Sequence, residues 1–150
     1  MYGHWGANAL VVASTLLVLV ACVLVHYEGL ALTQKSIART HSHMRVKVLH
    51  AISLVIVLHA VEVWIFGIAY WLLLQWPECG GLAGPQEPHF FDYIYLSAMS
   101  YTTVGFGDVT PLGPIRFMAA TEALAGLVLI TWSASFTYLE MQRFWDREER

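Results

Sequence analysis

The residues whose types and spacing suggest chemistry lie in one short stretch, residues 102–108, with the sequence TTVGFGD. Gly105 and Gly107 permit backbone torsions that other residues avoid. Because they alternate with Val104 and Phe106, successive carbonyl oxygens can point to one side while the side chains pack on the other. Four such strands around an axis would form stacked rings of oxygens, closed at the inner end by the Thr103 hydroxyls. Such rings can replace the water shell of a dehydrated cation.

The composition of the chain indicates what surrounds this stretch. The chain has 150 residues, of which 57% are hydrophobic and 13% are charged, and this balance departs far from that of soluble domains. A membrane-spanning helix needs roughly 20 mostly apolar residues, and residues 7–25, 48–71 and 115–139 meet this requirement. We therefore expect an all-α membrane protein with three transmembrane helices. The lipid bilayer is the expected partner, and no nucleic acid is expected.

The basic residues predict the orientation of the chain in the membrane. Seven of the eight fall in two places: Lys35, Arg39, Arg45 and Lys47 between the first two spans, and Arg143, Arg147 and Arg150 after the third. Loops rich in Lys and Arg stay in the cytoplasm, so the N-terminus is expected outside and the C-terminus in the cytoplasm. The plasma membrane is the expected location. The leader MYGHWGAN has no Lys or Arg, so we interpret the first span as a retained helix and not as a secretory signal.

The segment between the second and third spans is unusual in composition. An irregular loop rich in proline and glycine is followed by HFFDYIYLSAMSYT, which is too short to cross a bilayer and too apolar for an exposed loop. Pro88 and Asp92 suit a helix N-terminus. These features predict a short re-entrant helix that leads directly into TTVGFGD. An irregular backbone at membrane depth is tolerated only where it is buried in protein or lines a water-filled path.

The stretch TTVGFGD, after a short apolar helix and before a long one, resembles the selectivity filter of the potassium-channel pore-domain family. Residues 103–107 correspond to T-V-G-Y/F-G and Asp108 to the carboxylate that follows, with Thr102 before them. The resemblance covers residues 48–140. It implies a homotetramer that is not an enzyme, needs no organic cofactor and selects potassium over sodium. The implied K+ sites are at Thr103, Val104, Gly105 and Phe106.

The resemblance also implies how the chain divides into segments and which residues of the last span line the pore. We expect an N-terminal transmembrane helix over 1–27, a basic cytoplasmic loop over 28–47, a pore domain over 48–140 and a charged cytoplasmic tail over 141–150. Gly126 is interpreted either as a gating hinge or as a small residue for close helix packing. The implied pore lining consists of Leu127, Ile130, Ala134 and Tyr138, with Tyr138 as the candidate narrowing.

Two positions depart from the family pattern. Phe106 stands where many members carry tyrosine, so a hydrogen bond from a phenol is absent there. Met99 stands where some members place a carboxylate behind the filter. Both departures remove polar bracing, and they put filter stability in doubt more than selectivity.

Several polar residues have no part in the conduction that this resemblance implies. His59 and Glu62 lie on one face of the second span, and Glu122 lies in the third. Ionisable groups in spans are costly, so these three are expected to form a polar cluster behind the short helix, either titrating or purely structural. His41, His43 and His50 accompany the basic loop, either as a zinc site or, as we prefer, in a segment touching anionic lipid.

The leading interpretation is a potassium-selective channel. Three alternatives stay open at this point: a non-selective cation channel, a regulatory subunit of a larger channel complex, and a metal-dependent membrane enzyme that uses His59, Glu62 and Glu122. The complete filter motif weighs against the first two. Cys22 and Cys79 lie toward opposite sides of the membrane, so a disulfide between them is not expected.

Overall fold

The computed structural model describes residues 5–39 and 44–148. Three long helices and one short helix make up most of it: α1 Trp5–Arg39, α2 Met44–Leu73, α3 Phe90–Tyr101 and α4 Arg116–Glu148. The three long helices are each long and apolar enough to cross a membrane. The predicted all-α membrane fold, with three spanning helices and a short helix between the last two, is therefore confirmed.

The helices extend beyond the apolar stretches that predicted them. Residues 28–47, expected as a loop, are helical up to Arg39 and again from Met44, and the expected tail over 141–150 continues as helix to Glu148. The loop is therefore shorter than expected, because charge marks where a chain leaves the bilayer and does not end a helix. The charged tail is helical for the same reason. The sequence after residue 29 contains good helix formers and no proline up to Arg39, so the helix continues into the polar region.

One face of α1 packs against the rest of the protein along its whole length. The buried positions recur at helical spacing and are Ala7, Val11, Thr15, Cys22, His26, Leu30, Thr33 and Ile37. They contact both α2 and α4, whereas large side chains on the other faces, such as Leu17 and Leu24, are exposed. A single buried stripe with apolar residues elsewhere is the pattern of a helix between protein and lipid. The first helix is therefore packed against the two long helices that flank the TTVGFGD stretch.

The short helix α3 lies between α2 and α4. Its N-terminus carries a capping box, in which the backbone N–H of His89 donates to the Asp92 carboxylate at 2.7 Å, so the predicted start near Pro88 and Asp92 agrees with the structure. At Gly67 a side chain would meet the backbone of Ile94, since an added Cβ would lie 3.0 Å from the Ile94 Cα. This glycine lets α2 and α3 approach closely.

The loops on either side of α3 are joined by a short antiparallel pair that the sequence analysis did not predict. Strand β1, Gly81–Ala83, pairs with β2, Thr110–Leu112, with Gly81 opposite Leu112 and Ala83 opposite Thr110. Strands of three residues are too short to show an alternating pattern. Since β2 directly follows the TTVGFGD stretch, the pair holds the outer end of this stretch against the loop that follows α2.

Candidate functional site

The TTVGFGD stretch, residues 102–108, is called the filter stretch after the motif that it resembles. Its backbone torsions alternate between left-handed and right-handed values. The φ angles are +59° at Thr103, +53° at Gly105 and +82° at Gly107, whereas Val104 and Phe106 keep negative values. A positive φ costs glycine little but is uncommon for threonine. Alternating torsions of this kind turn successive carbonyl groups toward the same side. The structure thus has the left-handed torsions that the spacing of the two glycines predicted.

The C-terminus of α3 holds the inner end of the filter stretch. The backbone N–H groups of Thr102, Thr103 and Gly105 donate to the carbonyls of Ala98, Ser100 and Met99, at 3.1, 3.0 and 3.2 Å. These bonds satisfy carbonyl groups in the last turn of α3 that have no partner within the helix. Within the described residues, no backbone amide donates to a carbonyl of residues 103–107. These carbonyl oxygens are therefore not used by backbone hydrogen bonds within the described residues.

The outer end of the filter stretch is held by a residue that the sequence analysis did not single out. The hydroxyl of Tyr95, on α3, donates to both carboxylate oxygens of Asp108, each at 2.9 Å. Hydrogen bonds to an ionised acceptor are stronger than those between neutral groups. This contact supplies polar bracing at Asp108 that Phe106 and Met99 cannot supply. The sequence does not distinguish Tyr95 from its neighbours, because aromatic residues are common throughout α3. Its only signal is its place on the helix that leads into the filter stretch.

The filter stretch is exposed in the single protomer. Residues 102–108 are all exposed, and the Phe106 side chain reaches 72% exposure and that of Val104 52%. The packing of these side chains that the sequence predicted is therefore not provided within one chain. A large exposed apolar surface of this kind marks an interaction site.

The predicted pore-lining residues share the exposed face of α4. Leu127, Ile130, Ala134 and Tyr138 are exposed, whereas the residues on the packed face are buried. Two polar residues missed by the sequence analysis, Thr131 and Ser135, are exposed alongside them. The hydroxyls of both bond to carbonyls of the preceding turn. Each hydroxyl also keeps acceptor capacity, so this face is partly polar.

Gly126 lies on the packed face of α4 and not on the exposed one. An added Cβ would lie 2.0 Å from the carbonyl oxygen of Tyr101, the last residue of α3. No side chain fits at this distance without moving backbone. Of the two interpretations of Gly126, the structure favours the small residue for close helix packing.

The intramembrane carboxylates form two neighbouring clusters rather than one. Glu62 is fully buried and bonds to His26 Nδ1 at 2.8 Å, to His59 Nδ1 at 3.0 Å and to the Tyr101 hydroxyl. His26, on α1, was not singled out by the sequence analysis, because its partner lies 36 residues away. The structure therefore brings His59 and Glu62 together as predicted.

Glu122 does not join this group. It is buried and accepts hydrogen bonds from the hydroxyls of Tyr70 and Ser97. Because Ser97 and Tyr101 are four residues apart on α3, about one helical turn separates the two carboxylates. Among the described residues, no buried side-chain nitrogen or oxygen lacks a hydrogen-bond partner. Both carboxylates are therefore held in satisfied hydrogen-bond networks.

The structure describes only some of the remaining polar residues that the sequence singled out. His41 and His43 lie outside the described residues. His50 lies within them and its Nε2 is 3.0 Å from Ser36 Oγ, which links α2 to α1. Cys22 and Cys79 are both free and buried.

Comparison with known proteins identifies the family. Residues 56–142, more than half of the chain, match the model of a family described as "Ion channel". The matched range contains most of α2, the helix α3, the filter stretch and most of α4. The chain therefore belongs to this ion-channel family, and the resemblance to potassium-channel pore domains is confirmed.

Three curated relatives are similar to parts of the chain. Protein LctB of Geobacillus stearothermophilus is 42% identical over 53 residues, 35% of this chain and 40% of the relative. Protein LctB of Bacillus caldotenax is 50% identical over 38 residues, 25% of this chain and 28% of the relative. The inward rectifier potassium channel Kirbac3.1 of Paramagnetospirillum magnetotacticum is 30% identical over 94 residues, 61% of this chain and 30% of the relative.

In each case the match spans less than half the length of the relative. No solved structure matches the chain.

Proposed function

We propose that four copies of this chain form a pore that conducts potassium passively and selectively. The observation that carries the proposal is the alternating backbone of residues 103–107, whose carbonyls are free of internal hydrogen bonds. Dehydrated K+ ions are coordinated by the carbonyls of Thr103, Val104, Gly105 and Phe106 and by the Thr103 hydroxyls. Gly107 gives the backbone its last left-handed turn. The similarity to a relative named as a potassium channel supports the choice of ion.

The exposed filter stretch supports assembly into a homotetramer. Free carbonyls at membrane depth must line a water-filled path and be shielded from lipid by protein. A single protomer leaves Val104 and Phe106 exposed, so neighbouring copies around an axis bury these side chains and bring the carbonyls together. Bound K+ ions complete the filter, and no organic cofactor takes part.

Conduction follows from the chemistry of this path. Carbonyl dipoles replace the hydration shell, and several adjacent sites let one ion displace the next. Four copies of Asp108, held by Tyr95 beside the filter, enrich cations at the outer mouth. The exposed face of α4, with Leu127, Ile130, Ala134 and Tyr138, lines the inner part of the path. Tyr138 forms the narrowest point.

The proposed pore crosses the plasma membrane with its N-terminus outside and its C-terminus in the cytoplasm. Gln34 Nε2 and Glu140 Oε1 are 3.5 Å apart, so the basic end of α1 and the basic end of α4 lie at the same end of the bundle. Concentration of basic residues at one end supports a cytoplasmic location for that end. Lys35, Arg39 and Arg45 face anionic lipid headgroups there.

Flux into liposomes tests this function. Purified protein alone is reconstituted, its tetramer is verified by native mass spectrometry, and influx of K+, Na+ and N-methylglucamine is compared with and without external barium. Influx of K+ alone, blocked by barium, is the expected result. Equal influx of K+ and Na+ would establish a non-selective cation channel. No influx through a folded tetramer would overturn the proposal in favour of a regulatory subunit.

A further inference from the structure

The largely buried group formed by His26, His59 and Glu62 has no part in the proposed conduction. It joins α1 to α2 behind the C-terminus of α3, since Tyr101 contacts both His59 and Glu62. We propose that these three side chains bind a divalent transition-metal ion of the zinc class, which links the first helix to the pore domain. The proposal concerns metal binding and stands independently of the ion that the pore conducts.

The donor atoms are of the right type and are already gathered. One ligand atom from each of the three residues lies within 4.8 Å of the others. Two imidazole nitrogens and one carboxylate oxygen form a set that zinc takes in proteins. Bond lengths of about 2.0–2.2 Å in a tetrahedral site place neighbouring ligand atoms roughly 3.3 Å apart. The Nδ1 atoms of His26 and His59 contact different oxygens of Glu62, Oε1 at 2.8 Å and Oε2 at 3.0 Å. An ion between the three side chains therefore replaces these two hydrogen bonds and requires the donor atoms to rearrange around it.

The surroundings supply the remaining parts of a metal site. The Tyr101 hydroxyl oxygen bonds to Glu62 and lies 2.9 Å from His59 Nδ1, so it is placed to give a fourth oxygen ligand or to orient the carboxylate. The second nitrogen of the His26 ring, Nε2, is 3.4 Å from Ser133 Oγ. Metal-binding histidines usually bond through the second nitrogen in this way. The His59 side chain is 19% exposed, whereas that of Glu62 is fully buried.

The Glu122 group provides an internal comparison. It has a similarly buried carboxylate, but its hydrogen-bond partners are the hydroxyls of Tyr70 and Ser97. Without a nitrogen ligand it does not suit zinc. If Glu62 serves only to satisfy buried hydrogen bonds, its replacement is expected to leave zinc binding unchanged, as replacement of Glu122 does. If Glu62 is a metal ligand, its replacement is expected to weaken zinc binding.

Zinc binding to the purified tetramer tests the proposal. The protein is prepared without a polyhistidine tag and with His41→Gln and His43→Gln, which removes the His-x-His motif. Equilibrium dialysis against ZnSO₄ with elemental analysis is expected to give one Zn²⁺ per protomer. Co²⁺ at the same site is expected to give the visible absorption bands of tetrahedral nitrogen and oxygen ligation. Mg²⁺ is not expected to compete, since it prefers oxygen ligands.

Ligand variants assign the ion to these residues. His26→Gln, His59→Gln and Glu62→Gln are each expected to weaken zinc binding by roughly 100-fold or more, because loss of an outer-shell partner alone costs 10–100-fold. His50→Gln and Glu122→Gln are the matched controls and are expected to keep the affinity. Zinc is also expected to raise the melting temperature of the unaltered tetramer and not that of the ligand variants.

Two results would overturn the proposal. The first is stoichiometric zinc binding that survives all three ligand substitutions, which would place the ion elsewhere. The second is the absence of binding and of any thermal shift in a folded tetramer, which would show that the group is only a hydrogen-bond network. Neither result depends on flux, so a failure of this proposal and a failure of the proposed channel function are distinguishable.

Discussion

Replacing Gly126 by alanine is expected to weaken the packing between α4 and α3. The added Cβ would lie 2.0, 2.8 and 3.0 Å from three backbone atoms of Tyr101, namely O, C and Cα. Ordinary contact begins at 3.4 Å, so the two backbones must separate by about 1.4 Å, the difference between 3.4 and 2.0 Å. A backbone cannot move aside as a flexible side chain can, and overpacking costs about 1–3 kcal/mol.

The sign of this effect separates the two interpretations of Gly126. Alanine favours a helix over glycine by about 1 kcal/mol, so a glycine that serves only as a hinge would give a more stable protein when replaced. The packing interpretation predicts the opposite. Because the clash is with backbone, the upper part of the overpacking range, about 2–3 kcal/mol, applies, and a net loss of about 1–2 kcal/mol remains after the propensity gain. The melting temperature is then expected to fall by roughly 2–8 °C. Tetramer remaining after heating, measured by size-exclusion chromatography, gives this temperature. Gly6→Ala is the matched control, since nothing lies within 4 Å of its added Cβ.

A melting temperature for Gly126→Ala equal to or above that of the unaltered protein would refute this reasoning. Changed flux with unchanged stability would then favour the hinge. Reduced stability in both glycine variants would point to a general effect of the substitution and not to the contact with Tyr101.

Three further predictions concern the filter and the loop that precedes α3. Gly105→Ala is expected to abolish K+ flux while the tetramer persists, because an L side chain is strained at φ +53°; normal flux would show that the filter assignment is wrong. Tyr95→Phe removes the hydrogen bonds to Asp108, worth about 1 kcal/mol, so flux should decline faster during sustained conduction; an unchanged decline would show that they do not hold the filter. Burial, with the Glu78 carboxylate, raises the pKa of Cys79, so alkylation should be slow at pH 7, accelerate as the pH rises and be faster in Glu78→Gln. Alkylation at pH 7 as fast as that of a cysteine peptide would contradict this.

The parts of the fold that depend on local composition could be predicted from the sequence. Three apolar stretches gave the three spanning helices, and Asp92 with the apolar run after it gave α3. The ends of α1 and α4 could not be predicted in this way. An apolar stretch indicates which part of a helix lies in lipid. The helix itself continues into water until residues of low helix propensity or a loss of packing end it.

The candidate site was predictable only where a motif carries it. The spacing of Gly105 and Gly107 predicted backbone torsions that other residues avoid, and the structure has left-handed torsions at both. Contacts made across long stretches of sequence had no such signal. Tyr95 bonds to Asp108 on the far side of the filter stretch, and His26 bonds to Glu62 on another helix. One hydroxyl or imidazole in an apolar segment does not reveal its partner until the helices are packed.

Packing also decided between interpretations that the sequence left open. Gly126 could be a hinge or a small residue for close packing, and only the position of the Tyr101 carbonyl distinguishes them. The pairing of β1 with β2 depends equally on tertiary structure, since each strand has only three residues. These features are fixed by neighbours that lie far away in the chain.

The reversal potential of a single pore tests the central proposal most directly. Purified protein is placed in a planar bilayer with potassium chloride on one side and an equal concentration of sodium chloride on the other. A potassium-selective pore is expected to reverse at a strongly shifted potential, carrying current from the potassium side only, and to lose its current when barium is added. Reversal near zero would show that potassium and sodium pass alike, and would contradict the account of the filter given by residues 103–107.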